Sequence, residues 1–206
     1  MKHNKIYYLL VIFLAVACQS KENKKYIEDI EKQRVEKNEI YSDSLKSPIN
    51  PIHLAEFEGL KYFPVDPEFR VEGILEITPE EKPFEMATST DRVPVYRKYG
   101  NLKFKIKGDE FVLSVYQNMD FLDDTAYADF LFLPYQDLTS SKESYGGGRY
   151  IDLRIPKTEK ITIDFNMAYN PYCAYHDRWS CVLPPPENFL EVKILAGEKK
   201  FLLSDH

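Results

Sequence analysis

The sequence predicts a mainly β fold, either an antiparallel β-sandwich or a partly closed barrel, with one helix near the N-terminus. Three observations lead to this prediction. Apolar and polar residues alternate in many short segments, turn residues separate these segments, and no long helical pattern lies between them. The chain has 206 residues, of which 44% are apolar, so its composition suits one domain with a substantial core.

The N-terminus has the features of an export signal. Two lysines precede an uninterrupted apolar run over 6–17, which is too short to cross a hydrocarbon core of ~30 Å as a helix. The run ends in small residues before Cys18, as in a bacterial lipobox, although Ala15 stands where leucine is commonest. We therefore expect residues 1–17 to be a lipoprotein signal peptide and Cys18 to be lipidated. An ordinary secretory signal with an incidental cysteine is the alternative.

Lipidation would anchor the protein to a membrane in the cell envelope, facing the periplasm or the cell surface. Acyl chains hold a protein on a bilayer by about 0.8 kcal/mol per buried methylene. Gln19 follows the cysteine in place of the aspartate that retains some bacterial lipoproteins in the inner membrane, which favours the outer membrane. Loss of residues 1–17 removes two lysines and changes the formal net charge from −6 to −8. Such an acidic protein has no electrostatic reason to bind nucleic acid.

The elements are predicted in chain order. Residues 18–25 are polar and are expected to form a flexible tether, and residues 26–44 have the period of a helix with a narrow apolar stripe. A β-rich domain is expected over 45–206. Its clearest strands are Phe69–Ile77 and a hairpin over Leu102–Val115, which turns at Gly108-Asp109. Further strands are expected at 84–89, 93–99, 129–133, 150–155, 161–165 and 191–195.

Conformationally special residues are concentrated between residues 145 and 198. The glycines at 146–148 can arrange consecutive amides around an anion, with the Arg149 guanidinium as a clamp. A tight turn, with Arg149 paired to a carboxylate such as Asp164 or Glu187, is the alternative. The candidate ligand-binding residues, expected around one cleft, are Tyr145, Arg149, Asn166, Tyr169, Asn170, Glu187 and Asn188.

Cys173 and Cys181 are the cysteines that remain once Cys18 is acylated. In an oxidising compartment they can form a disulfide that closes a small loop. Free thiols, or a metal or redox role, are the alternatives. Zinc requires about four ligands, and the chain has few histidines, so we expect neither a metal nor another cofactor.

The chain resembles DUF1684, a bacterial family of unknown function, over about residues 45–200, and the resemblance is specific in its second half. The motifs that carry the resemblance include Tyr145-Gly146-Gly147-Gly148-Arg149-Tyr150, Asp164-Phe165-Asn166, Ala168-Tyr169-Asn170-Pro171 and Pro184-Pro185-Pro186-Glu187-Asn188. The resemblance implies a β-rich domain and no known activity. Met167 stands where the family usually has arginine, so this chain lacks one positive charge that a shared anion site would use.

Together these features predict a membrane-anchored protein that binds a small polar or anionic ligand or an envelope partner. One alternative is a hydrolase of an envelope component, in which Glu187 or Asp164 acts as acid or base and Arg149 holds an anion. Asp152 could complete a carboxylate pair in such a site. A purely structural module is the other alternative. The sequence contains no P-loop, Gly-x-Ser-x-Gly or His-Glu-x-x-His motif, so no catalytic residue is assigned.

Overall fold

The computed structural model describes residues 3–203, and it describes side chains from residue 21 onward. The predicted fold class is confirmed. A mostly antiparallel sheet of eight strands curls into half a barrel, and one long N-terminal helix accompanies it.

The N-terminal helix, α1, runs from His3 to Ser42. It includes the predicted helix and also residues 18–25, which we expected to form a flexible tether. Charged pairs one turn apart, such as Lys24 with Glu28 (3.8 Å), favour the helical form of this polar segment. Within the described residues, no helix carries an apolar stretch long enough to span a membrane. The signal-peptide and lipidation predictions concern residues 1–17 and Cys18, which lie outside the residues whose side chains are described.

A short helix, α2 (Pro51–Leu54), leads from α1 towards the sheet. The strands are β1 (Arg70–Ile77), β2 (Phe84–Glu85), β3 (Val95–Ile106), β4 (Asp109–Asn118), β5 (Phe130–Asp137), β6 (Arg149–Arg154), β7 (Lys160–Asp164) and β8 (Phe189–Leu190). The main path is β6-β5-β4-β3-β1-β7, with antiparallel neighbours; β2 pairs with β3, and β8 lies parallel to β5.

The predicted hairpin is formed by β3 and β4. Phe104 pairs with Phe111, and the turn has positive φ at Lys107 (52°) and Gly108 (96°), which is the geometry of a two-residue hairpin turn. The strand expected at 191–195 is absent from the described structure. There the backbone N–H of Ile194 donates to a side-chain carboxylate, that of Asp137, at 2.7 Å.

The two faces of the sheet pack differently. Alternate residues of β5 show this, because Leu131 and Leu133 lie in the main core, whereas Phe132 lies in an aromatic cluster on the opposite face. A third cluster includes Tyr41 of α1 and Tyr175 of a later loop, and it holds the end of α1 against the domain. The last part of α1 is therefore a fixed part of the folded body.

Candidate functional site

Arg149 is the centre of a buried polar network. Its side chain is 1% exposed, and its guanidinium donates to Asp137 Oδ1 (3.2 Å) and to the carbonyls of Ile194 (3.0 Å) and Ala196. Asp137 also accepts a hydrogen bond from the Thr139 hydroxyl. The guanidinium is thus enclosed by protein acceptors. It does not face solvent as an anion clamp, and its carboxylate partner is neither of the two suggested by the sequence.

The glycine triplet before Arg149 forms a tight turn. The backbone N–H of Gly148 donates to the carbonyl of Tyr145 at 3.2 Å, and Gly148 has a φ of 86°. A Cβ atom at this position would lie 2.6 Å from the carbonyl oxygen of Tyr135 and from Pro184 Cγ. Glycine is therefore required by backbone geometry and close packing.

Three of the predicted binding residues are buried amides that join separate segments. Asn188 bridges β4 and β5, because its Nδ2 donates to the carbonyls of Ser114 (2.8 Å) and Pro134 (2.6 Å). Asn170 donates to the carbonyl of Lys199 at 2.8 Å. These side chains take the place of ladder hydrogen bonds in irregular regions.

Asn166 joins the end of β7 to two other segments. Its amide donates to the carbonyl of Asp66 (2.8 Å) and to the hydroxyl of Tyr26 on α1 (3.0 Å). That same hydroxyl donates to Asp164 at 2.8 Å. Asn166 and Asp164 therefore help to dock α1, and this contact accounts for the Asp164-Phe165-Asn166 motif.

Glu187 lies apart from the Arg149 network. It is exposed and accepts a hydrogen bond from the Tyr116 hydroxyl at 2.9 Å, and Tyr116 belongs to the aromatic cluster on the face opposite the main core. Tyr145 is half-buried and packs against the cluster that holds α1. The structure therefore does not bring the seven predicted residues around one cleft.

Two of the seven line a groove between α1 and the segment after β7. The groove has a volume of about 320 Å³, and its polar lining residues include Arg34, Lys37, Tyr62, Asn166 and Tyr169. Glu36 is an acidic residue on its rim. Both cations come from α1, so the groove depends on how the helix docks.

The ammonium of Lys37 is held at a fixed position in this groove. It lies 3.0 Å from Glu198 Oε2 and 5.2 Å from the ring centroids of both Tyr41 and Tyr169. Glu198 is 1% exposed and also accepts hydrogen bonds from Asn170 and from the Tyr175 hydroxyl. Burial and the nearby Glu198 carboxylate raise the pKa of Tyr41 and Tyr175, so both stay protonated, and the Tyr175 hydroxyl can donate to Glu198.

Arg34 is the second cation of the groove, and it is incompletely paired. Its Nη1 donates to the carbonyl of Phe63 (3.1 Å) and to Glu31 (3.0 Å), and its Cζ lies 4.4 Å from the ring centroid of Tyr62. Among the described residues, Nε and Nη2 have no hydrogen-bond acceptor, and the buried Tyr62 hydroxyl has no partner. The Nε–Nη2 edge can bind a carboxylate or phosphate through two hydrogen bonds.

Sequence reasoning missed Arg34 because residues 26–44 show only a narrow apolar stripe, in which a charged side chain does not stand out. A signal was nevertheless present in the spacing. Ile27, Ile30, Arg34, Lys37 and Tyr41 follow one another at intervals of three or four residues, so both cations lie on the stripe that packs against the domain. A cation on the buried stripe of a helix indicates a specific polar environment.

Asp152, which the sequence suggested as a member of a carboxylate pair, has a raised pKa. More than a third of the residue is exposed, yet desolvation around its carboxylate raises the pKa, with the hydrogen bond from the Tyr169 hydroxyl (2.6 Å) acting in the opposite direction. Its cross-strand neighbour is Phe132. A carboxyl group beside aromatic rings can serve as a proton donor nearer to neutral pH than an ordinary aspartate.

Cys173 and Cys181 are free, buried thiols in the structure, so the expected disulfide is not formed here. The backbone N–H of Cys173 donates to Cys181 Sγ at 3.1 Å. In the part of the chain that the structure describes, no three residues among His, Cys, Asp and Glu are grouped to hold a metal ion.

The comparisons with known proteins define the family. The profile described as "Protein of unknown function (DUF1684)" matches residues 55–199, which is more than half of the chain. The solution NMR structure of an uncharacterised protein from Haloarcula marismortui is similar, with a TM-score of 0.68 and 34% identity, over 89% of this chain and 99% of that chain. No curated protein matches this sequence. This chain belongs to the DUF1684 family of proteins of unknown function.

Proposed function

We propose that the protein is a lipid-anchored binding protein of the cell envelope, and that its ligand is a small molecule bearing a carboxylate. The binding site is the groove between α1 and residues 166–169. The observation that carries this proposal is the Nε–Nη2 edge of Arg34, which has no acceptor among the described residues. Lys37 lies in the same groove, and its ammonium is paired with Glu198.

The size of the groove and the open edge of Arg34 fit a small ligand with a single carboxylate. Its volume of about 320 Å³ lies at the lower end of the ~300–1,000 Å³ range of small-molecule pockets. Glu36 on the rim disfavours ligands of high negative charge. The Tyr62 ring covers the guanidinium, so a carboxylate would displace this ring to reach Nε and Nη2.

The lipid anchor is supported by the N-terminal sequence. The apolar run, the small residues and Cys18 form the lipobox-like pattern. A helix rises 1.5 Å per residue, so Arg34 would lie about 24 Å along α1 from Cys18. The ligand groove would then lie close to the membrane that carries the anchor, with outer-membrane residence favoured by Gln19.

Thermal shift with a panel of small carboxylates tests the binding proposal. We expect a saturable rise in the melting temperature of the wild-type protein, since a ligand at one hundred times its Kd stabilises the native state by about 2.7 kcal/mol. Arg34→Gln should abolish the rise. The control is Arg154→Gln, which removes a half-exposed arginine from β6. Tyr62→Leu should strengthen binding because it uncovers the guanidinium.

Two results would overturn this assignment. One is a carboxylate-dependent rise in melting temperature that is equally large in Arg34→Gln. The other is the absence of any saturable rise in both the wild-type protein and Tyr62→Leu.

The lipid anchor is tested separately by labelling cells with palmitate. Incorporation that persists in Cys18→Ser, or that never occurs in the wild type, would refute lipidation. An envelope location would also expose Cys173 and Cys181 to oxidants, and the proposal includes their disulfide.

A hydrolase is the second candidate, and the raised pKa of Asp152 favours it. Asp152 would act as the proton donor, held by Tyr169 at the end of the groove. Chromogenic esters and glycosides provide the assay, and Asp152→Asn should abolish turnover while the protein stays folded, as circular dichroism would show. If neither binding nor turnover is found, the purely structural alternative is favoured, and the buried Arg149 network supports that alternative for the motif residues.

A further inference from the structure

Two contacting thiols lie outside the carboxylate groove. Cys173 and Cys181 are each 8% exposed, and the N–H of Cys173 donates to Cys181 Sγ at 3.1 Å. The Cys173 thiol is also hydrogen-bonded to the side chains of Ser89 and Tyr145. Cys181 is fixed through its backbone, because its N–H donates to Ser89 Oγ (3.2 Å) and its carbonyl accepts from Ser89 N–H (2.8 Å).

The surroundings make the two sulfurs chemically different. Hydrogen bonds from Cys181, Tyr145 and Ser89 lower the pKa of Cys173 to about 7, with burial opposing them. The pKa of Cys181 is raised by its hydrogen bond to Cys173 and by burial. The thiolate is the nucleophilic form of cysteine, so Cys173 is the attacking sulfur of this pair.

We infer that Cys173 and Cys181 form a thiol–disulfide exchange site, with Cys173 as the attacking thiol, Cys181 as the resolving thiol and a disulfide-bearing compound as the co-substrate. Its basis is that the two side chains are buried side by side, with the Cys173 N–H 3.1 Å from Cys181 Sγ, and that hydroxyl donors surround the Cys173 thiol. This role goes beyond a static disulfide, because the pair would cycle between the dithiol and disulfide states. It requires neither the lipid anchor nor the carboxylate groove.

The exchange proceeds in two balanced steps. The Cys173 thiolate attacks one sulfur of the co-substrate, the co-substrate S–S bond breaks, and the released thiolate takes up a proton. Cys181 then loses its proton and attacks Cys173 Sγ, which releases the second co-substrate thiol. Overall, two protein thiols are oxidised to a disulfide, and one disulfide is reduced to two thiols. Ser89 is exposed, so the co-substrate would approach from its side.

Oxidised glutathione is a suitable probe for the purified full-length protein. We expect the reduced wild type to lose two hydrogens by mass spectrometry and to become resistant to thiol alkylation. Cys181→Ser should accumulate one glutathione on residue 173, because no resolving thiol is left. Cys173→Ser should react more slowly than Cys181→Ser at pH 7, because Tyr145 and Ser89 donate hydrogen bonds that favour the Cys173 thiolate.

A positioning variant separates this role from a merely structural one. Tyr145→Phe keeps both cysteines and should move the midpoint of the rate–pH profile upward, because it removes a donor to the Cys173 thiolate. Tyr172→Phe changes an exposed neighbouring tyrosine and should leave the midpoint unchanged. The inference is overturned if the folded wild type remains a dithiol in excess oxidised glutathione, or if Cys173→Ser reacts as fast as Cys181→Ser. An unchanged midpoint in Tyr145→Phe overturns it even where a serine variant fails to fold.

Discussion

The substitution Asp137→Asn tests whether Arg149 is a structural residue. Asp137 and Arg149 are 0% and 1% exposed, and their side chains are 3.2 Å apart. The asparagine keeps the shape of the aspartate but leaves a buried guanidinium without its counter-charge. It also turns an amide donor towards hydrogen-bond donors, including the N–H of Ile194. Removing one partner of a buried ion pair costs about 3–5 kcal/mol.

That cost is a large share of the total stability of a domain, which is typically about 5–15 kcal/mol. For a chain of this length it corresponds to a fall in melting temperature of about 6–20 °C. Urea unfolding followed by far-ultraviolet circular dichroism measures it, and the midpoint should fall while the slope stays the same. If the pair is structural, carboxylate binding by the folded variant should be unchanged.

The matched control is Asp129→Asn. Asp129 and Arg154 form an ion pair at 2.6 Å, but their side chains are 57% and 53% exposed. Solvent screens such a pair, so the loss should stay below about 1 kcal/mol. The reasoning is refuted if Asp137→Asn costs no more than Asp129→Asn. The double variant Asp137→Leu with Arg149→Met should recover part of the stability, because it leaves no unpaired buried charge.

Three further predictions concern backbone geometry, protonation and helix docking. Gly148→Ala should lower the free energy of unfolding in urea by clearly more than the ~1–2 kcal/mol expected for Gly108→Ala. Both glycines have a positive φ, but only Gly148 lacks room for a Cβ atom. Asp152→Asn should raise the melting temperature at pH 7, because folding raises the pKa of Asp152 and the ionised carboxylate therefore destabilises the folded state. The difference in melting temperature between this variant and the wild type should vanish below pH 3.8, where Asp152 is protonated in both the folded and the unfolded protein. Lys37→Met should lower stability by about 3 kcal/mol, and adding Glu198→Gln should restore part of it in thermal unfolding, because the unpaired buried charge is then removed.

The β-rich fold could be predicted because alternation is a local property. In the β3–β4 hairpin, Leu102 faces Leu113 and Phe104 faces Phe111, and the turn residues fix this register. The segment at 191–195 failed as a strand for a reason that the sequence could not show. The carboxylate of Asp137, far away in the chain, binds the backbone there through Ile194.

The candidate site was less predictable than the fold. The motif residues stand out in the sequence because the structure constrains them. Such a constraint can arise from an internal hydrogen-bond network as well as from a ligand-binding site. Arg149, Asn170 and Asn188 each donate hydrogen bonds to backbone carbonyls of other segments, so their clustering marks the scaffold. Arg34, in contrast, carries no motif, and its free edge depends on the docking of α1.

The sequence by itself determined the mainly β class, the N-terminal helix, the family and the types of side chain available along the chain. Periodicity and motifs are local properties, which do not depend on contacts in the folded structure. Only the tertiary structure decided which polar groups are satisfied. That outcome depends on contacts between residues more than a hundred positions apart, such as Lys37 with Glu198. Burial makes such contacts strong and selective, and it separates the enclosed Arg149 from the incompletely paired Arg34.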